Sequence, residues 1–543
     1  MGQRPSRASL LPAGSSAQSA LQRIADMLLS EDALRQLVAI DEITDDTLAW
    51  AVAHGVVMYK APADKTQAAT IPFTLLPTPF PADLYGHAME MAAGFHTLMD
   101  KVACDLPWLQ RVLELTGKID PICGPLLEIC SKVYGPEGKD HALDIRLNMM
   151  RNDFMLDTAS QERGEFPLKQ IELNMIAASF STHSQDITEV HRYLLCKYLH
   201  RLDAMLTPEL VGSALDYGLP ASPNASGLAA AMADAYKAYG KRWPHVERSR
   251  VVLFVAHQDE SNELDHRKLE MALFKNHQIV SLRRSLTQLA AQCSSLLVPL
   301  AGHQNTGHTS PQALVVDGHE VTVAYFRSGY WPEQYNPAEA CWEARELIER
   351  SEAVKCPSAP AQLAGMKKVQ QVLCKPDQIG LFLGRQAELL ARTFAKMSDP
   401  TVASDDVQAA LRDPSDWVLK PQIEGSGNLL FDAEIPDALQ SRSEVELAEL
   451  ILMERIRPPI TPSAIYSAEK GGRAVPSVRN SVGELGIFGT LVADGRRQLR
   501  NAACGHLLRS KAHQTNQGGV FVGNAVVDAP LLLPPQMFWP RVL

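Results

Sequence analysis

Apolar residues recur at helical spacing through residues 21–55. Leu21, Ile24, Leu28 and Leu29 fall on one face, and Ser30 ahead of Glu31-Asp32 has the composition of a helix start. Pro72, Pro77, Pro79 and Pro81 then hold 71–82 extended or looped, because a proline disfavours helix at the residue before it. Helical periodicity returns over 83–150. A short apolar strand follows and ends in Glu172 and Asn174, and a long helical segment occupies 186–206.

The pattern changes at 249. Val251–Val255 is a buried-strand run, 261–276 is amphipathic, and Ile279–Leu282 is a second strand, a β-α-β signature that predicts a small parallel sheet. Residues 286–311 have the look of a surface insertion. Leu314–Val316 and Val321–Tyr325 flank Asp317-Gly318, a hairpin turn signal. Helices are expected near 338–355 and 360–374. A third regime begins at Trp417–Lys420, a short strand followed by a glycine loop at 424–428 and by Leu429–Phe431. Leu450–Ile456, Leu485–Ala493 and Gln498–Cys504 are further strands, the last two joined across Asp494-Gly495. Residues 457–475, with Pro458, Pro459, Pro462 and Gly471-Gly472, predict a loop.

That succession divides the chain into a disordered tail at 1–20, a largely helical part at 21–246, a parallel α/β unit at 247–360 and a mainly antiparallel part at 361–543, a mixed α/β (α+β) fold overall. The tail is rich in Ser and Ala, and its Arg4 and Arg7 give it only a faint resemblance to a transit peptide. Gly2 to Ser6 fits the loose myristoylation pattern without a second membrane signal. A length of 543 residues is enough for three or four domains at about 100–200 residues each. With 46% hydrophobic and 21% charged residues the chain can bury a full core. A net charge of −10 and a pI near 5.9 argue against nucleic acid or an anionic membrane as partner. Apolar runs fall short of the roughly 18–20 residues that span a bilayer, so a soluble, cytoplasmic protein is expected. Nine scattered cysteines without a C-x-x-C pair fit a reducing compartment. The spacings of His183, His191 and His200 do not suit a metal site.

The motifs of P-loop NTPases, Rossmann dehydrogenases, zincins and α/β-hydrolases are absent. Lys420-Pro-Gln-Ile-Glu-Gly-Ser-Gly-Asn428 places a lysine at a strand end before a small-residue loop. Such a loop either closes backbone N–H groups over phosphate oxygens, with Glu424 holding Mg²⁺, or is a glycine turn with an exposed acid. Glu172 and Asn174, two apart on a strand, face one side and form either an oxygen-donor pair for a hard cation or a solvated strand edge. Arg327-Ser-Gly-Tyr330 offers a guanidinium beside a tight turn. Arg509-Ser-Lys511 near Gly518-Gly519 offers a second cation pair beside a flap. Each of these is also readable as surface cations at strand ends.

Taken together, these pieces resemble the eukaryotic glutathione synthetases, the circularly permuted branch of the ATP-grasp ligases, from about residue 40 to 528. The matching stretches are Ile71-Pro-Phe-Thr-Leu-Leu-Pro77, Arg151-Asn-Asp-Phe-Met155, Lys169-Gln-Ile-Glu-Leu-Asn174, Ala178-Ser-Phe180 and Val190-His-Arg192. They continue with Tyr325-Phe-Arg-Ser-Gly-Tyr330, Gln362-Leu-Ala-Gly-Met-Lys-Lys-Val-Gln-Gln371, Val418-Leu-Lys-Pro-Gln422, Leu452-Met-Glu454, Glu484-Leu-Gly-Ile-Phe-Gly489, Gly505-His-Leu-Leu-Arg-Ser-Lys511 and Gly518-Gly-Val520.

The resemblance implies an ATP-grasp fold with an antiparallel ATP-binding sheet, a lid and a smaller substrate domain. It implies a homodimer that joins γ-glutamylcysteine to glycine with ATP and Mg²⁺ through an acyl phosphate. By the same resemblance Glu172, Asn174 and Glu424 hold the metal, and Lys367, Lys420 and Arg509 are catalytic. ATP would be held by Glu172, Lys367, Lys420, Gln422, Glu424, Gly425, Ser426, Gly427, Asn428, Leu429, Phe431, Met453, Glu454, Arg455, Ile456, Glu484, Lys511 and Gln517. The peptide and acceptor would meet Arg151, Ala177, Ser179, Glu260, Asn262, His266, Arg327, Tyr330, Arg509, Val520 and Phe521.

This chain departs from the family pattern at several of these positions. His266 replaces a glutamine, which would make one substrate contact vary with pH. Ala177 replaces a serine, Ser426 a glycine, Leu429 an asparagine and Gln517 an acid. Phe521-Val522 replace two alanines in the closing loop, which leaves β-alanine open as an alternative acceptor. A non-catalytic ATP- or peptide-binding relative is the other rival reading.

Overall fold

The computed structural model describes residues 15–62, 64–300, 310–422, 429–466, 476–516, 518–520 and 523–543. Its centre is a long hairpin, Ser477–Asp494 and Arg497–Ala512, paired from Ser481 opposite Ala512 to Asp494 opposite Arg497 with register shifts at Phe488/Gly489 and Val492/Ala493. The first arm also pairs with Ile145–Leu156, which pairs in turn with Leu168–Asn174. The second arm carries Val526–Asp528, then Phe73–Thr74, then Thr461–Tyr466. Thr461–Tyr466 pairs as well with the start of the first arm, so the seven-stranded sheet bends back on itself. Helices Ala82–Ala103 and Asn224–Arg242 pack on this sheet, and Phe95 meets Phe154 edge-on at 6.1 Å.

The second sheet holds the predicted β-α-β unit. Arg250–Val255 is parallel to Ser281–Arg284 and to His319–Phe326, with helix Glu263–His277 as the crossover. Asp317 (φ 49°) and Gly318 (φ 81°) close the expected hairpin between Gln312–Val316 and His319–Phe326, both in the left-handed region that a two-residue turn of this kind needs.

The third sheet is small and antiparallel: Met397–Ser398, Leu450–Glu454 and Trp417–Pro421. Its side chains alternate faces, as a strand requires. Trp417, Leu419, Leu450 and Leu452 pack on helices Asp405–Arg412 and Glu434–Ser441. Val418, Ile451 and Met453 join Leu429, Phe431, Ile456 and Ile171 on the other face.

Five expectations need correction. Helix Ser16–Leu28 begins inside the stretch read as a tail, capped by Ser15. Ile145–Leu156 is a strand, not the end of a helical region. Its polar alternates are buried rather than solvated, with Arg146 doubly bonded to Asp100 at 2.9 Å and Asn148 bonded to the same carboxylate at 3.1 Å, which hid the period of two. Val354–Cys356 adds a strand to the parallel sheet where a helix was expected. Thr461–Tyr466 is a strand inside the proline-rich loop. Pro462 does not break it, lying one residue from the strand's start. The insertion at 286–311 is built into the second sheet through helix Leu286–Ala290 and strand Leu297–Pro299, and its polar stretch at 301–309 lies outside the described residues.

Candidate active site

A cleft of about 1150 Å³ opens where the three sheets meet. Its floor is the strand pair Ile145–Leu156 and Leu168–Asn174, whose register sets Arg151 opposite Asn174 and Asp153 opposite Glu172. Burial would raise the Glu172 carboxyl, but Lys367, Lys420, Arg509 and Arg151 outweigh it and hold its pKa at about 2. Lys367, the first residue of helix Lys367–Leu373, sits 3.5 Å from Glu172 Oε1. Lys420 reaches in from the small sheet and donates to Ile171 O at 3.3 Å. Burial depresses Lys420 to about 8; Lys367 and Lys511 add to the depression and Glu172 opposes it. Lys511 is likewise depressed to about 8, by burial and then by Arg509 and Arg455. Two buried lysines with depressed pKa values, Lys420 and Lys511, beside Lys367 make an anion site.

The apolar face of the small sheet forms one wall. Val418, Met453, Leu429, Phe431 and Ile456 line it, with Ile171 opposite. Arg455 lies over the Phe431 ring at 5.3 Å and is held by Asp432 (3.1 Å) and Asn516 (3.2 Å). A flat aromatic base fits between such walls. The amides of Glu454 and Arg455 already donate to Lys396 O and Asp416 O, at 2.9 and 2.7 Å.

The other end of the cleft is polar. Ser179 sits in a loop whose neighbours Ala177 (φ 51°) and Phe180 (φ 65°) adopt the left-handed conformation without being glycine, strain of the kind that gathers at functional sites. Asp265 holds that loop, accepting from Phe180 N at 2.9 Å and Thr182 N at 2.8 Å. Glu260, Asn262 and Tyr330 complete the lining. Arg509 pairs with both Glu484 and Asp153.

Twenty of the expected residues share this one cleft: Arg151, Glu172, Asn174, Ala177, Ser179, Glu260, Asn262, Tyr330, Lys367, Lys420, Leu429, Phe431, Met453, Glu454, Arg455, Ile456, Glu484, Arg509, Lys511 and Val520. Three expected residues stand behind its wall. Gln422 braces Lys367 and its neighbour, its Oε1 accepting Lys368 N at 2.9 Å and its carbonyl accepting Lys367 Nζ at 3.4 Å. Arg327 spends its donors on Ala178 O, Tyr325 Oη, Ser179 Oγ and His266 Nε2.

That last contact corrects the reading of His266. Its Nε2 accepts from Arg327 Nε at 3.0 Å, and burial followed by the Arg327 charge pushes its pKa well below the usual value. His266 is therefore a neutral acceptor, not a pH-variable substrate contact. Glu424, Gly425, Ser426, Gly427, Asn428, Gln517 and Phe521 lie outside the described residues.

The donor set fits a magnesium ion. Glu172 supplies an ionised carboxylate. Asn174 commits its Nδ2 to Asp153 Oδ2 (2.9 Å) and Arg151 O (3.4 Å), so the amide oxygen is the atom left for a hard cation. Among the described residues there is no cluster of three or more His, Cys, Asp or Glu that would suit a softer metal.

Sequence reasoning missed the supports. Asp265 belongs to no motif, and Asp153 lies within the matching stretch Arg151–Met155 without a task assigned to it; strand register and helix packing reveal what they do. Gln370 lies within a matching stretch that assigns it no task. Its Oε1 accepts Leu173 N at 3.0 Å and so fixes the strand that presents Glu172 and Asn174.

A large antiparallel sheet facing a small one, with lysines from both sides meeting over an oxygen-donor pair, is the arrangement of an ATP-grasp ligase. A family model of the eukaryotic glutathione synthase ATP-binding domain matches residues 38–532. The chain is 34% identical over 501 residues to the glutathione synthetase of Homo sapiens, covering 90% of this chain and 96% of that one. Identity to the Xenopus laevis glutathione synthetase is 33%, over 93% of this chain and 99% of the relative. For the chloroplastic enzyme of Solanum lycopersicum it is 33%, over 91% and 84%. The solved structure of a glutathione synthetase-like effector from Globodera pallida in its apo form shares the fold, with a TM-score of 0.67 at 18% identity over 91% of this chain and 96% of that one. The chain belongs to the eukaryotic glutathione synthetase family.

Proposed function

We propose that this protein is a glutathione synthetase, joining γ-glutamylcysteine to glycine at the expense of ATP. The observation that carries the reading is the single cleft lined by an apolar slot, by Lys367 and the two depressed lysines Lys420 and Lys511, and by the Arg151–Arg509 pair, which offers room for a base, a triphosphate and a peptide carboxylate. Lys367 and Lys420 neutralise charge as the γ-phosphoryl group passes to the cysteinyl carboxylate, giving ADP and an acyl phosphate. The neutral glycine amine attacks the acyl carbon, loses a proton, and expels inorganic phosphate as the amide forms. Arg151 and Arg509 orient the carboxylate, and Gly518, Gly519 and Val520, which line the cleft, help to exclude water. Bound at Glu172, Asn174 and Glu424, Mg²⁺ would supply charge neutralisation on the phosphates.

A homodimer and a cytoplasmic location belong to the same proposal. The second is supported by nine unpaired cysteines, and no helix among the described residues is long and apolar enough to cross a membrane. The test is oxygen transfer. With ¹⁸O in the cysteinyl carboxylate, one ¹⁸O atom appears in the released phosphate if the acyl phosphate forms. Unlabelled phosphate alongside peptide synthesis would refute that route.

A further inference from the structure

The Asp153 carboxylate is fully buried in the cleft floor and serves three side chains. Oδ1 accepts from Arg151 Nε at 2.6 Å, and Oδ2 accepts from Arg151 Nη2 at 2.8 Å, Arg509 Nη2 at 2.9 Å and Asn174 Nδ2 at 2.9 Å. The two arginines come from different strands, and side by side their charges repel; Asp153 stands between them and cancels that repulsion. Its grip on Arg151 is bidentate, which fixes the plane of the guanidinium as well as its position. Beneath lies Phe488, whose ring is 5.8 Å from the Arg151 guanidinium carbon.

Room for this clamp comes from the neighbouring strand. Gly486 is in register with Asp153, and a Cβ there would stand 2.7 Å from both Arg151 Cδ and Asp153 Oδ1. Gly486 does not have a positive φ, so close approach rather than backbone freedom is what calls for glycine at this position.

We propose that Asp153, seated in the space left by Gly486, is a positioning residue that holds Arg151 and Arg509 as one preformed cationic pair for a carboxylate of γ-glutamylcysteine. This rests on the proposed ligase function. The pair is assembled before the peptide arrives, so the ordering cost is met in folding and not in binding.

The test compares Asp153→Asn and Gly486→Ala with the wild type, measuring KM separately for γ-glutamylcysteine and ATP and the thermal midpoint by circular dichroism. The first variant removes the charge. The second displaces the clamp sterically while keeping every charge, and its clash is with side-chain atoms of Arg151 and Asp153 rather than with backbone. In both, KM for the peptide rises about tenfold or more while KM for ATP stays within about threefold. A peptide KM within about threefold of wild type in folded Gly486→Ala, or an equal rise for both substrates, would overturn the proposal. If Asp153→Asn does not fold, Gly486→Ala decides alone. A wild type inactive on γ-glutamylcysteine would instead remove the proposed function, so the two failures are separable.

Discussion

A carboxylate buried among hydroxyls titrates unlike one in water, and Asp528 is such a group. Burial raises its pKa to about 6 against the bonds from Ser510 (2.5 Å), Thr78 (2.6 Å), Thr74 (2.7 Å) and Ala529 N (2.7 Å). The folded state therefore holds the proton more tightly than the unfolded chain. The resulting stabilisation is complete below about pH 4 and is lost as pH rises through about 6, a swing on the order of 3 kcal/mol. Urea unfolding of wild type and Asp528→Asn at pH 4.5 and 7 should show the variant gaining relative stability at the higher pH; a constant difference would contradict the assignment. His266 yields the opposite kind of prediction. Because it is a neutral acceptor for Arg327, His266→Gln keeps the contact, and kcat/KM between pH 6 and 8 should follow the same curve in both proteins. A step near pH 6.5 present only in the wild type would show that the histidine titrates. At this scale the sequence offers Glu172, Lys420 and Arg509 as candidates because their chemistry is tied to residue type, and Lys367 only through the family resemblance. It shows Asp153 within a matching stretch but without a task and gives no sign of Asp265; the importance of both lies in what folding brings beside them.

Elements were legible where one face is wet and one dry, or where a turn needs a particular residue. The Asp317-Gly318 hairpin and the strand ending in Asn174 are of this sort. Ile145–Leu156 is not, because both its faces are covered and its polar residues are paired internally. Thr461–Tyr466 was masked by its proline and by partners distant in sequence. The loop at 177–180 depends on another element altogether. Asp265, on helix Glu263–His277, accepts the amides that open helix Ser181–Tyr198. Asp265→Ala leaves those amides unpaired and should cost about 1–3 kcal/mol in chemical denaturation. It should also raise the peptide KM, since Ser179 sits in that loop. Unchanged stability would mean that the loop is held by other contacts.

Across the whole molecule the charge is −10, yet the cleft gathers Lys367, Lys420, Lys511, Arg151 and Arg509. A net charge taken from composition argues against nucleic acid but could not reveal this local clustering of cations, interleaved with Glu172 and Glu484, which exists only once three sheets converge. Lys511, depressed to about 8, should regain its ordinary pKa against a bound triphosphate. Nucleotide binding at pH 8 should then take up protons, and at pH 6.5 take up far fewer, as calorimetry in buffers of different ionisation enthalpy would register. Equal uptake at both values would exclude Lys511 as the source. The claim on which the rest depends is ligation itself, and ADP release by the purified protein with ATP, Mg²⁺ and γ-glutamylcysteine tests it most directly, glycine being compared with β-alanine. The account predicts ADP released one for one with glutathione when glycine is supplied, and little with β-alanine. Silence with glycine from a protein that still binds ATP would contradict it.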